Sequence, residues 1–595
     1  MVAKKKSPYS GKGFIVDSVR GPKKLYDFFW SLTEGIRFDQ DPHLNQKMRL
    51  NANHFIVHIY HSIKAKMAKK DDDNKYFRNG PDLYVSIFSR LINQKFGKDF
   101  KVLSLRNEGL IKMLPANSIK KLTRYYSLPR EILETARETE NKSISEAWKA
   151  LSEGHYNKFI PFNIINGLRI RTIEKNLYQP PEQNFKTPTL VKTAMKAISP
   201  CVFNPKYVGW WVDYLEKAYL KKKYEFDRLK STGDTDCEKF DILADALDRL
   251  KKKYENERYS QETILYQQPV LTETKSENGD LLYEYRAAYK PQISGRLTEV
   301  GGGLQNASRV FKHLAFSGVK NFYNYDLKAS QANILIQELN KCGVDSSWIT
   351  EYINDPKAKN TYAEQIGTDS ETWKICLYAT FMGANPNMSN STIQTTLIDY
   401  FNNLVLGNKA AIKFRKVTKR LYSTTKIWRE KLISPKDSPY IYYSKTFENY
   451  RHWINACGMK YKKLGIDRND NYMNMEEYED DKSSKRYRKP KILKRTAEAR
   501  RKLAAFILQG QEACFIHHLT ILCDTHGIKV MRNEHDGIIT DKLIPDKIIK
   551  TAGNRSKLLG AVLDQKPLAG KHDIDKASRL IGKKIPYNWK PKEVS

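Results

Sequence analysis

Between residues 206 and 258 the sequence runs YVGWWVDYLEKAYLKKKYEFDRL, breaks, and resumes as KFDILADALDRLKKKYENER. Both arms place apolar residues at three- and four-residue spacing with basic residues opposite, the period of an amphipathic helix. The break at 231–236, Ser-Thr-Gly-Asp-Thr-Asp, is a loop by composition. A chain with two such arms must fold them as a helical hairpin and bury their apolar stripes against something else. The next segment is of another kind. Residues 263–293 read as strands with a turn near Glu277-Asn278-Gly279-Asp280. Helical pattern dominates 345–450, residues 468–495 form a polar, very basic tip, and a helix is expected from about 496 to 524. A strand pair around GIKVMRNEHDGIITDK closes the pattern, so the fold class is α+β.

At 595 residues the chain has room for several domains, and its 40% apolar share supplies their cores. Lys and Arg outnumber Asp and Glu by 103 to 67, a formal charge of +36. So basic a surface attracts polyanions, and nucleic acid is the commonest of them. A ribosomal or membrane-surface protein is the plainer alternative, but no basic amphipathic anchor stands out. The 7 cysteines are scattered with no CxxC pair, which argues against a zinc ribbon or a disulfide framework. There is no apolar run of membrane-spanning length and no apolar stretch behind MVAKKKSPYSGKG. The expectation is an intracellular protein of the cytoplasm or nucleoid, whose first lysines touch phosphates or are simply solvated.

Two aspartates carry the chemistry. NFYNYDLKASQANILIQEL sets Asp326 at the end of an aromatic, strand-like run with a helix just after it, and IKVMRNEHDGIIT sets Asp536 at the turn between two apolar strands. Carboxylates at the ends of two distant strands, once brought together, make a seat for hard divalent cations. Two Mg²⁺ ions about 4 Å apart, with Mn²⁺ able to substitute, can activate a hydroxyl and stabilise a leaving pyrophosphate. Either aspartate alone reads equally well as a turn residue or a helix cap.

Order and spacing add support. SGRLTEVGGGLQNASR (294–309) precedes Asp326, WKICLYATFMGA (373–384) stands between the aspartates, and RRKLAAFILQGQEACF (500–515) precedes Asp536. In this order the blocks resemble the family A DNA polymerases, the DNA polymerase I group, over roughly residues 265–545. The resemblance implies a right-hand fold with an antiparallel palm and helical fingers and thumb. It divides the chain into a basic N-terminal region (1–80), a second N-terminal domain (81–200), thumb (201–261), palm (262–340), fingers (341–490) and the rest of the palm (491–595). Residues 82–114 suit two short amphipathic helices, and either a winged-helix nucleic-acid-binding module or an ordinary helical domain fits them.

Lys374, Tyr378 and Met382 fall at i, i+4 and i+8, on one helix face. By resemblance, Lys374 meets the triphosphate and offsets charge on the leaving group. Tyr378 lies against base or sugar, and Gly383 admits the template base. Arg296, Gln305, Asn306, Arg501, Gln509 and His535 are placed along primer and template. The Gly301–Gly303 run is expected to serve a turn rather than a phosphate. The partners implied are primed DNA and nucleoside triphosphates, with RNA as an alternative template or product and no membrane.

The match departs from the family in places. Leu327, Lys328 and Ala329 separate Asp326 from Ser-Gln, where the family has one residue; the longer spacing looks like phage-type single-subunit RNA polymerases. The family's sugar-gating Glu is replaced by Gln331 or Asn333, depending on where counting starts. Ser370 stands where the family has an Arg, and Gly537 where many relatives have a Glu. No Asp-x-Glu on an apolar strand marks a proofreading site; Asp236-Cys237-Glu238 is a loop. His54, His58 and His61 share a helix face, but without a fourth ligand they read as a packed helix. Three functions remain in view: a DNA polymerase lacking proofreading that serves a plasmid, phage or mobile element; a single-subunit RNA polymerase or primase-like enzyme; and a non-catalytic nucleic-acid-binding protein.

Overall fold

In the computed structural model the described residues are 18–68, 78–172, 187–232, 238–443, 450–475 and 491–589, less short stretches within them, chiefly 115–122, 157–160, 166–168 and parts of 89–101 and 386–390. The first lysines, the polar run 69–75, most of the 231–236 loop and most of the basic tip at 468–495 lie outside the described residues.

The expected hairpin is present as helices Pro205–Ser231 and Glu238–Tyr266. Its start is set by Asn204, whose side chain accepts the Lys206 amide at 3.0 Å, and by Pro205 in the first helical position. The second arm runs past 263, where strands were expected to begin, because Ile264, Leu265 and Tyr266 are all buried and extend its packed face. Strands Val270–Lys275 and Leu281–Tyr285 then form an antiparallel pair, joined to Cys201–Phe203. The expected turn closes them, with the Gly279 amide donating to the Ser276 carbonyl at 3.0 Å.

The N-terminal unit holds more strand than expected. Asp82–Leu83 and Val85–Phe88 are strands rather than a helix, and Val85–Phe88 joins Thr123–Ser127 and Lys112–Leu114 in a three-stranded sheet. The segment Tyr84-Val85-Ser86-Ile87-Phe88 is rich in aromatic and β-branched side chains, which suit a pleated surface. Helix Pro42–Ala68 carries His54 and His58 into a core with Phe55, Tyr60 and Tyr126, so these histidines are packing residues. Among the described residues no group of three or more His, Cys, Asp or Glu could hold a metal. Lys64 on this helix bonds Glu140 at 2.9 Å and Glu262 at 3.1 Å, tying the N-terminal unit to the hairpin. The two carboxylates raise the Lys64 ammonium above its ordinary range against the opposing effect of burial.

The largest core gathers residues from Tyr325 to Leu558. At its centre is helix Ala497–Thr525, apolar nearly all round and buried along most of its length. Against it lies a four-stranded sheet in the order Val530–Asn533, Gly537–Thr540, Tyr323–Leu327, Leu563–Gln565. Helices from Ser347 to Ile433 form the block on the other side, as the sequence pattern predicts, followed by a small five-stranded sheet. No helix among the described residues is long and apolar enough to cross a membrane.

Candidate active site

The Asp326 strand is an inner strand of its sheet. Tyr325 points away from Asp326, and its hydroxyl accepts the Ile544 amide at 3.0 Å. On the other side, Asp326 is registered opposite Gly537, and the Leu327 amide donates to the Asp536 carbonyl at 2.9 Å. The two aspartates, 210 positions apart in the chain, thus share one strand-to-strand junction. A Cβ on Gly537 would lie 2.1 Å from the Tyr325 carbonyl oxygen, so only glycine permits the strands to approach this closely.

The Asp536 turn is locally built. The Asn533 side chain accepts the His535 amide at 3.1 Å, the Glu534 amide donates to the Gly537 carbonyl at 2.9 Å, and His535 sits at φ +70°. The three residues after Asp326 also have a physical reason. Leu327 finishes the strand, the Lys328 amide donates to the Val562 carbonyl at 2.9 Å, and Ala329 reverses the chain at φ +46° so that helix Ser330–Lys341 can begin.

Crowding of the Asp536 turn by protein, and then the charge of Asp326, push the Asp536 carboxyl above its ordinary range. Asp326 is already paired with a cation, the Lys566 ammonium at 2.5 Å. Two carboxylates at one junction are hard oxygen donors of the kind divalent cations take, with the Lys566 ammonium holding the place on Asp326.

Helix Ser370–Phe381 carries Lys374 and Tyr378. Asp369 caps it by accepting the Thr372 amide at 2.7 Å, and Trp373, Cys376, Leu377 and Phe381 bury its inner face. Lys374 is left exposed, its Nζ 5.6 Å from the Tyr378 ring centre. Burial pushes the Tyr378 phenol up to about 12, helped by Tyr352 and by the negative charges of Asp536, Glu512 and Asp326. Ser370 begins the helix and supplies no cation, but Lys359 pairs with Glu371 at 2.7 Å, and Arg309 stands near enough to lower the same carboxyl.

The remaining expected residues divide. Arg296 lies near Asp536 and is ion-paired with Glu512. His535 is half-buried, and its Nδ1 has no hydrogen-bond partner among the described residues. Asn306 and Arg501 are exposed, and Gln509 is half-buried on the long helix. Gly383 sits at φ +91°, where a Cβ would lie 2.7 Å from Arg501 and 3.1 Å from Arg429, so arginine side chains crowd the place expected to receive a template base. Asn333 donates to the Lys328 carbonyl at 3.1 Å, whereas the Gln331 side chain has no hydrogen bond with a described residue.

Gln305 corrects the expectation drawn from sequence. It is buried, accepts the Glu299 amide at 2.8 Å, and donates to the carbonyls of Leu297 at 3.0 Å and Asn533 at 2.8 Å. Both of its amide hydrogens and its carbonyl are thus committed inside the protein, where they tie the 294–309 segment to the Asp536 turn. The glycines beside it serve the turn, as expected: a Cβ on Gly303 would lie 2.1 Å from Glu299.

Sequence reasoning missed Glu512. Its carboxylate is fully buried, pairs with Arg296 and accepts the Ser330 hydroxyl at 3.0 Å. Burial and the nearby Asp536 push it up to about 7, opposed by Arg296. The signal was a single acid set in the apolar run AAFILQGQEACF.

Neither a family model nor a curated protein matches the chain. Among solved structures it is similar to the POL domain of Pol1 from M. smegmatis, in complex with DNA primer-template and dNTP, at 12% identity and a TM-score of 0.35. The match covers 57% of this chain and 55% of that one, so the chain spans about half of that domain's length. A likeness that loose defines neither fold nor activity.

Proposed function

We propose that the chain is a template-directed nucleotidyltransferase that extends a nucleic-acid primer, a DNA polymerase of the family A type without a proofreading exonuclease, serving a plasmid, phage or other mobile element. The observation that carries the reading is the backbone junction that sets Asp326 beside the Asp536 turn. The motif order that resembles family A polymerases supports it independently.

In this reading Asp326 and Asp536 would hold two divalent ions, Mg²⁺ or Mn²⁺, which would supply Lewis acidity for the primer 3′-hydroxyl and charge neutralisation for the triphosphate. Lys374 binds the triphosphate and stabilises charge on the leaving pyrophosphate, with Lys359 and Arg309 as supporting cations. Tyr378 packs against the incoming nucleotide. Of the two candidates beside the sugar, Gln331 is the one with a free amide. Arg296, His535, Asn306, Arg501 and Gln509 line the primer–template path. The hairpin, which exposes Lys217, Lys221, Lys223, Arg228 and Lys230, acts as a thumb on the duplex, with the Asp326 sheet as palm and the 347–433 helices as fingers.

The lack of an acidic sugar gate favours a second reading, an enzyme that makes RNA. The test for both is primer extension on a primed template with Mg²⁺ and either dNTPs or NTPs, repeated with Asp536→Ala. Extension with dNTPs, lost in the variant, is the expected result. Extension with NTPs alone would move the assignment to an RNA polymerase or primase-like enzyme. Tight template binding with no product under any condition would leave a non-catalytic nucleic-acid-binding protein.

A further inference from the structure

Glu512 is an acid without solvent, and its two partners come from the segments before and after the Asp326 strand. One carboxylate oxygen pairs with Arg296, from the segment before the Asp326 strand. The other accepts the hydroxyl of Ser330, the first residue of the helix after that strand. Glu512 itself stands on the long helix beneath the sheet. Arg296 is largely buried, and its Nε has no hydrogen-bond partner among the described residues.

Gln305 bonds the carbonyls of both Leu297 and Asn533, so Arg296 stands beside the Asp536 turn, with Glu512 as its ion-pair partner. A guanidinium is always charged and forks readily onto carboxylates. Left to itself, it would fold onto the more accessible carboxylate, Asp536, and occupy the oxygen that a divalent ion needs. The direct bond to Glu512 holds it on the buried side instead, and Ser330 fixes the Glu512 rotamer by taking its second oxygen.

We propose that Glu512 is a positioning residue that keeps Arg296 off Asp536, so that the Asp536 carboxylate stays open to a divalent cation. The inference rests on the metal-site reading above and extends it to a residue that touches neither metal nor substrate. Neutralising Glu512 without changing its shape transfers the Arg296 charge to Asp536, and the cation must then displace it.

The test is Mn²⁺ binding to the full chain without nucleic acid, followed by electron paramagnetic resonance. The wild type is compared with Asp536→Ala, Glu512→Gln, Arg296→Gln and the double variant Glu512→Gln/Arg296→Gln, each checked by circular dichroism. Wild-type binding should be lost in Asp536→Ala, weakened at least threefold in Glu512→Gln, and restored to within about twofold of wild type in the double variant. Unchanged affinity in Glu512→Gln, or no recovery in the double variant, would overturn the inference while leaving the metal site standing. If Glu512→Gln does not fold, Arg296→Gln decides: affinity equal to or tighter than wild type supports the inference, and a loss of more than threefold refutes it. Wild-type protein with no Mn²⁺ site sensitive to Asp536 would remove the metal reading and this inference with it.

Discussion

The Leu327 amide donates to the Asp536 carbonyl at 2.9 Å, extending the ladder between the Asp326 strand and Gly537–Thr540 to the Asp536 turn itself. That bond depends on Gly537, because a methyl there would run into the Tyr325 carbonyl at 2.1 Å. Gly537→Ala should force the strands apart at a cost of about 1–3 kcal/mol. Thermal denaturation should show the modest loss of stability. Primer extension should fall much further than stability does, and equal losses in the two would mean the junction has no special role.

Arg532 and Glu299 are both wholly buried and meet at 2.8 Å, with the Tyr285 hydroxyl accepting a second guanidinium bond at 2.8 Å. Arg532→Ala leaves the Glu299 carboxylate buried without its cation, which should cost about 3–5 kcal/mol. Replacing the pair together, as Arg532→Met with Glu299→Leu, should cost less than the single change. Urea unfolding midpoints of the three proteins compare them directly.

His517 is buried, and its Nε2 donates to the Gly295 carbonyl at 2.9 Å. Burial pushes its pKa down to about 4, against about 6.5 in an unfolded chain. The unfolded state therefore takes up a proton that the folded state refuses. The His517 contribution is constant above pH 6.5 and is lost as pH falls from about 6.5 towards 4. The loss is on the order of 3 kcal/mol at most. His517→Gln keeps a donor to Gly295 and should remove this part of the pH dependence of stability. A variant whose stability runs parallel to wild type across that window would refute the assignment.

The exposed lysines of the hairpin should make template binding steeply salt-dependent. Lys221→Gln with Lys223→Gln should weaken binding to every sequence alike. If each lysine covers one phosphate, the slope of log K against log salt should fall by about 0.9 per contact removed. Fluorescence anisotropy with a labelled primed duplex measures this, and an unchanged slope would place the duplex elsewhere.

Much of this architecture was legible in the sequence because its signals are local. The hairpin shows in helical periodicity, the 276–280 turn in its glycine, and the Asp326 and Asp536 strands in apolar runs ended by polar turns. The helix that carries Lys374 was legible because its buried face is apolar. The features that stayed hidden depend on contacts across the fold. Gln305 looks like a groove-reading amide until the Asn533 and Leu297 carbonyls appear beside it. Glu512 looks like one more acid until Arg296, 216 positions away, closes on it. The strands at 82–88 were missed because a short run of aromatic and β-branched residues reads as either element without its neighbours.

Helix Arg130–Glu153 belongs to two bodies at once. One end packs in the N-terminal core, while Ile144, Trp148 and Leu151 complete the core of Phe203, Trp211 and Tyr283, and the Trp148 indole donates to the Pro205 carbonyl at 2.9 Å. Trimming the chain to begin near residue 187 would therefore not release a tidy catalytic fragment. It would leave an indole-sized vacancy at the root of the hairpin, and the shortened protein should be prone to clump.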